Sequence, residues 1–237
     1  MIITSSHNDK LKEIRKLTRR RSREDASRFV AEGEDLVAAA ASAGWSPLVL
    51  LAAAGSGLEG DEVEGALLAS VSGLRSGTRQ LAVYESRWGA PAGPLCVALW
   101  GVADPGNVGT IVRSARALGA TSVALGPGCA DPFGPKAVRA SMGALFDLPI
   151  ARVARVQELP GERVALMARQ GDALAGPAAG EVTLVVGAER AGLPADVVAA
   201  CDRVAHIPIA GESESLNAAM AATIALYELT RGEVGDA

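Results

Sequence analysis

Asn107, Arg113, Glu189, Ser215 and Asn217 are the residues of this 237-residue chain whose types and places could carry a reaction. They fall in three stretches. The first is Asn107-Val-Gly-Thr-Ile-Val-Arg113-Ser-Ala-Arg-Ala-Leu-Gly119, the second Gly187-Ala-Glu189-Arg-Ala-Gly192-Leu193, the third Ile207-Pro-Ile-Ala-Gly211-Glu-Ser-Glu-Ser215-Leu216-Asn217. In each, polar residues stand where an apolar strand-like run meets a helix-like run, the junction at which α/β proteins build ligand sites. Asn107 follows Asp104-Pro-Gly, a turn that sets a helix start at the C-terminal edge of the strand expected over 95–100. Arg113 shares a face of that helix with Thr110 and Ala117. A lone helical Arg is ordinarily a solvated ion-pair partner, but here the small residues Gly109, Ser114 and Ala115 let another backbone or a ligand come close. Gly187 directly follows the run 183–186, so main chain is open to a ligand there. Glu189 projects from the loop, and Gly192 supplies a second bend. Ser215 and Asn217 flank Leu216 where the last helix begins. Capping accounts for Ser215, but it leaves Asn217 unexplained.

Two sets of elements must position these groups. Asn8 caps a helix with Leu11, Ile14 and Leu17 on one face and Lys10, Lys12, Arg15, Lys16 and Arg19 around the rest. Arg20, Arg21 and Arg23 carry the positive run into an expected loop. A strand at 29–31, a helix at 34–43 ended by Gly44, a strand at 48–54, a helix at 61–74 and a strand at 80–84 complete a small α/β unit over residues 1–88. Residues 89–94, rich in Gly and Pro, read as a linker. From 95 to 237 strands are expected at 95–100, 122–125, 164–167 and 183–186, and helices at 107–118, 194–201 and 216–231. This alternation predicts a parallel sheet covered by helices on both faces.

The totals narrow the function. Net charge is −4, yet residues 1–30 hold nine Lys/Arg against four Asp/Glu, leaving −9 for the rest. Such segregation points to a polyanionic partner at the basic end. With 3% aromatic residues, Ala, Val and Leu must fill the core. Cys96, Cys129 and Cys201 are odd in number, widely spaced and without a CxxC pair, which argues against a disulfide framework or metal site and for a reduced, cytosolic setting. No signal-peptide pattern opens the chain. Residues 36–58 are uncharged, but Gly44, Ser46, Pro47 and Gly55 interrupt them, so they read as helix, turn and strand rather than a membrane span. Gly55-Ser-Gly57-Leu-Glu-Gly60 matches a dinucleotide fingerprint, but Glu59, Asp61 and Glu62 would set negative charge where a pyrophosphate must lie. It reads as a surface turn.

The three stretches resemble, in order, the three motifs of the SpoU (TrmH-type) RNA 2′-O-ribose methyltransferases. Lys136-Ala-Val-Arg-Ala-Ser141-Met-Gly143 adds to the likeness, and Ser6-His-Asn8-Asp-Lys-Leu with Phe29-Val-Ala-Glu32-Gly33 resembles the small substrate-binding domain that precedes the catalytic one in many members. The resemblance implies a SPOUT-type α/β domain whose C-terminal part threads a loop to make a trefoil knot, a topology that connection rules would have rejected. It also implies a homodimer with each site completed near the subunit interface, and S-adenosylmethionine as methyl donor. Asn107 and Arg113 match the polar pair of motif one, Glu189 the acid of motif two, and Ser215 and Asn217 the polar pair of motif three. Gly187, Ile207, Ile209 and Leu216 match cofactor-holding positions, with Ile209 standing where members often carry Met. The implied substrate is structured RNA, first of all ribosomal RNA, held by Lys10, Lys12, Arg15, Lys16, Arg19, Arg20, Arg21 and Arg23. A transfer-RNA enzyme and a non-catalytic RNA-binding relative are the alternatives.

Overall fold

The computed structural model describes residues 2–74, 77–210 and 215–231, and the chain divides into two compact units. The first comprises Met1–Ser86 together with Asp131–Phe146, and the second Arg87–Ala130 together with Asp147–Ala237.

The first unit opens with α1 (Asp9–Leu17), capped by the Asn8 side chain, which accepts from the Lys10 amide at 3.0 Å. Leu11, Ile14 and Leu17 are buried, as their spacing requires. The expected loop after it is instead a second helix, α2 (Arg20–Ala26), ended by Ser27 in the left-handed region. Next come β1 (Arg28–Glu32), α3 (Glu34–Ser42), β2 (Val49–Ala53), β3 (Asp61–Val63), α4 (Gly65–Val71) and β4 (Gln80–Glu85). The helix expected over 61–74 is therefore strand then helix, because Asp61–Val63 pair in register with Leu51–Ala53. The turn at Gly55–Gly60 leads into a strand, so no helix N-terminus waits there for a phosphate. The sheet order is β1-β4-β2-β3. Side chains alternate across it: Val30 and Val83 join the apolar cluster built on α1 and α4, while Phe29 and Tyr84 face the other way.

In the second unit, β5 (Leu95–Trp100), α5 (Pro105–Ala117) and β6 (Ser122–Leu125) precede an excursion through α6 (Pro135–Ala140) and α7 (Ala144–Asp147). The chain resumes with β7 (Ile150–Arg152), β8 (Glu162–Met167), β9 (Asp172–Ala173), β10 (Val182–Gly187), α8 (Ala195–Ala199), β11 (Arg203–His206) and α9 (Ala218–Thr230). Seven strands pair in the order β7-β6-β5-β10-β8-β11-β9, every pair parallel. Strands β5, β6 and β10 are buried along nearly their whole length, as continuous apolar runs in a two-faced sheet must be. One face packs Cys96, Trp100, Val153, Leu159, Leu193 and Val197 together. Residues 89–94 do not hang free: the Gly89 amide donates to the Ile150 carbonyl at 2.8 Å, and the Ala92 amide to the Ser122 hydroxyl at 2.8 Å.

The excursion Asp131–Phe146 is the main departure from the domain limits read along the chain, since it packs as part of the first unit. Phe133 and Phe146 join Phe29, Trp45 and Tyr84, with the Phe29–Phe133 ring centroids 4.9 Å apart, and the Trp45 indole donates to the Phe146 carbonyl at 2.8 Å. Five of the chain's eight aromatic residues thus build one cluster. Asp131 receives Nε and Nη2 of Arg23 at 2.9 and 2.7 Å, both side chains being buried. Among the described residues no helix is long and apolar enough to cross a membrane.

Candidate active site

Strand order reverses at the β5–β10 pair, where Trp100 stands opposite Gly187. The chain leaves β5 toward one side of the sheet and reaches β10 from the other, so the loops after these two strands open a crevice at their carboxyl ends. Gly101, at φ +70°, turns the chain out of β5, and Asp104 caps α5 by accepting from the Asn107 amide at 3.0 Å, with Pro105 in the first turn. Asn107 is thereby fixed at the helix entrance. After β10 the chain folds back on itself: Gly192 N–H donates to the Ala188 carbonyl at 2.9 Å and Ala188 N–H to the Gly192 carbonyl at 3.2 Å. A Cβ on Gly187 would lie 2.4 Å from the Gly192 carbonyl carbon, so only glycine permits this close return.

Three of the five chemistry-bearing residues meet here. The Asn107 amide group donates to the Glu189 carboxylate, and Asn217 Nδ2 donates to Asn107 Oδ1 at 3.2 Å. Asn217 Oδ1 in turn caps α9, accepting from the amides of Ala219 and Met220 at 2.9 and 3.3 Å. The chain of bonds fixes the orientation of both amides, because a carboxylate only accepts and a backbone N–H only donates. Asn217, and not Ser215 as expected from the sequence, is therefore the cap of α9, and it anchors Asn107 as well. Ser215 lies at the rim of the adjoining cavity.

That cavity is about 450 Å³, within the range of small-ligand sites. Of the residues singled out in the sequence, Gly187, Glu189, Ile207, Ile209, Ser215 and Leu216 line it. Leu166, Met167 and Arg169, at and beyond the end of β8, form a wall that no sequence signal marked; Ala218 and Ala221 of α9 add to it. Part of the third motif, residues 211–214, lies outside the described residues. The structure does not join Arg113 to the polar chain or the cavity. It is exposed on α5, and no hydrogen bond or ion pair engages it among the described residues. Beside it, Ser114 meets the Thr223 hydroxyl of α9 at 2.7 Å.

The basic end is partly neutralised within its own unit. Lys10 pairs with Asp61, Lys12 with Asp9 at 3.0 Å, Arg20 with Glu24 at 3.0 Å and Arg21 with Asp25 at 3.8 Å. Arg15 donates to the Ser6 carbonyl at 2.8 Å. Lys16 and Arg19 are exposed. Arg23 must be removed from the RNA-contact set: it is 6% exposed, and besides Asp131 its guanidinium serves the carbonyls of Leu17 and Thr18. A buried charge needs such partners, and a run of basic residues does not reveal which member will find them. The cysteines are free, and burial pushes the Cys201 thiol up to about 11. Among the described residues no group of three His, Cys, Asp or Glu is placed to hold a metal ion.

Residues 94–227 match the SpoU rRNA Methylase family, and residues 8–84 match the MRM3-like substrate binding domain. The chain is 38% identical over 138 residues to the 23S rRNA (guanosine(2553)-2′-O)-methyltransferase RlmP of Bacillus subtilis, which covers 54% of each chain. It is 38% identical over 144 residues to the 23S rRNA (uridine(2479)-2′-O)-methyltransferase of Streptomyces viridochromogenes, covering 55% of this chain and 50% of that one. The matched region is thus about half the length of these curated relatives. Among solved structures, an AdoMet-bound rRNA methyltransferase from Sinorhizobium meliloti superposes with a TM-score of 0.87 at 32% identity, over 98% of this chain and 97% of that one. The SpoU methyltransferase AviRb from Streptomyces viridochromogenes, in complex with AdoMet, gives 0.85 at 29% identity over 98% and 100%. With the family match spanning the crevice, the asparagine–glutamate chain and the cavity together, this chain belongs to the SpoU rRNA Methylase family.

Proposed function

We propose that the protein transfers a methyl group from S-adenosylmethionine to a ribose 2′-hydroxyl of structured RNA, with ribosomal RNA as the substrate class. The observation that carries this reading is the Asn217–Asn107–Glu189 chain beside the cavity at the sheet's switch point. S-adenosylmethionine supplies an electrophilic methyl group on its sulfonium. The residues present fit such a ligand: Leu166, Ile207, Ile209 and Leu216 offer apolar wall, and Gly187 keeps main chain exposed at the floor. Glu189 aligns Asn107, and Asn107 with Asn217 gives a polar rim to hold a ribose. Positioning of the attacking oxygen then contributes much of the acceleration.

A ribose hydroxyl is a poor nucleophile at neutral pH and needs its developing charge stabilised. Arg113 cannot take the proton, because guanidinium stays protonated in proteins. Its role is electrostatic: holding a phosphate beside the site and stabilising the alkoxide. That it is exposed and joins neither the polar chain nor the cavity lining supports a homodimer in which a second copy helps complete each site. Met220, Ile224 and Tyr227, at helical spacing on α9 and 44–63% exposed, support that contact. The trefoil knot, a cytoplasmic setting and RNA contacts from Lys16, Arg19 and the neighbouring basic residues belong to the same reading.

Arg113→Ala tests it. With labelled donor and ribosomal RNA, methyl transfer should fall about 10²- to 10³-fold, the usual cost of removing one preorganised charge-stabilising group. Cofactor affinity by calorimetry should stay near wild type. Turnover close to wild type would remove Arg113 from the mechanism.

A further inference from the structure

The lining of the cavity carries two arginines and one glutamate. It is mostly aliphatic or glycine, with Arg169, Gln170, Glu189, Arg190 and Ser215 as the polar exceptions. The glutamate carboxylate is already engaged by Asn107. S-adenosylmethionine brings a positive sulfonium and a positive α-amino group, both repelled by arginine. Its one negative group is the carboxylate of its amino-acid tail. A cation-bearing wall therefore favours a single orientation, with the carboxylate against an arginine and the sulfonium away from it.

The two arginines differ. Arg169 is engaged in an interaction of its own. Arg190 is exposed and forms no hydrogen bond or ion pair among the described residues. It is also well mounted, at the tip of the turn that Ala188 and Gly192 close with their two reciprocal backbone bonds. A fixed mount lowers the ordering cost of placing a long side chain. We propose that Arg190 is a specificity residue that receives the carboxylate of S-adenosylmethionine and so fixes which way the cofactor lies. This rests on the cofactor assignment above. A planar guanidinium meets a carboxylate through two parallel N–H···O bonds, a match that an ammonium cannot reproduce.

The test uses the full chain, calorimetry, and two ligands that differ only in this group: S-adenosylmethionine and its decarboxylated analogue. Wild type should bind the first about tenfold more tightly, the worth of one charge-assisted contact. Arg190→Gln should bind both alike, at the affinity wild type shows for the analogue, and Arg190→Lys should recover part of the difference. Equal losses for both ligands, or no loss for either, would overturn the assignment. So would a loss confined to ribosomal RNA binding, which would make Arg190 a phosphate contact instead. Failure of wild type to bind either ligand would overturn the cofactor reading itself, an outcome distinct from all of these.

Discussion

The two ends of the seven-stranded sheet use similar polar residues to opposite effect. At the amino ends, charged neighbours on adjoining strands pair with one another. Arg163 meets Asp202 through Nε and Nη2 at 2.7 and 2.8 Å and through its own amide at 2.8 Å, and Arg203 meets Glu162 at 3.1 Å. At the carboxyl ends, Asn107, Glu189 and Asn217 come from three separate connections, with partners 82 and 110 residues apart in the chain. The first arrangement pairs opposite charges across adjoining strands and stabilises register. The second spends its bonds on holding side chains at the edge of a cavity. In a parallel sheet every strand ends on the same side, so chemistry gathers there and plain structural pairing is left for the other.

The sharpest way to break this contrast is Asn107→Ala, which cuts the polar chain at its centre. Methyl transfer should drop about 10²- to 10³-fold, while the melting temperature falls by no more than about 4 °C, the usual consequence of losing roughly 1 kcal/mol in a chain of this size. Single-turnover rates and a thermal melt on one preparation decide it. A large loss of stability with a small loss of rate would make the chain a structural device like its counterpart at the amino ends.

Gly187→Ala should act more gently and on binding. The new methyl group must displace the Gly192 backbone, opening the turn that lines the cavity. Overpacking of this kind costs about 1–3 kcal/mol, so cofactor affinity should fall roughly 5- to 150-fold. Unchanged affinity by calorimetry would show that the turn is not part of the cofactor wall.

How far the sequence foretold this molecule follows from where each signal lies. α1 was legible because its cap at Asn8 and its apolar spacing at Leu11, Ile14 and Leu17 are both local. The strands β5, β6 and β10 were legible as uninterrupted apolar runs, and their motif residues were legible by type and order. The home of Asp131–Phe146 was not, because Asp131 is held by Arg23 from 108 residues away and Phe146 by Trp45 from 101 residues away. The same distance hid the burial of Arg23 within a run of basic residues. The β8 wall of the cavity escaped notice for another reason: Leu166 and Met167 look like any other core residues until the fold sets their ends beside Gly187. Partners that are remote in sequence, and walls made of ordinary apolar residues, leave no local mark.

The smallest effect is expected at the amino ends, and its pH dependence makes it diagnostic. The side-chain hydrogen bond from Arg163, aided by the Arg163 backbone amide, lowers the Asp202 carboxyl to about 2. A carboxyl whose folded value lies below its unfolded value of about 3.9 contributes stability that is fully present above that unfolded value. The contribution is lost as pH falls through the folded one. Asp202→Asn should therefore lower stability at neutral pH, by less than about 1 kcal/mol because the pair is partly exposed and screened by solvent and salt. The gap between variant and wild type should narrow as pH falls from about 4 toward about 2 and vanish below that. Methyl transfer at neutral pH should be unaffected. Denaturant melts across this pH range give the first reading and a labelled-donor assay the second. A rate loss in Asp202→Asn without a matching loss of stability would mean that the amino ends of the sheet communicate with the crevice, and the division of labour between the two ends would fail.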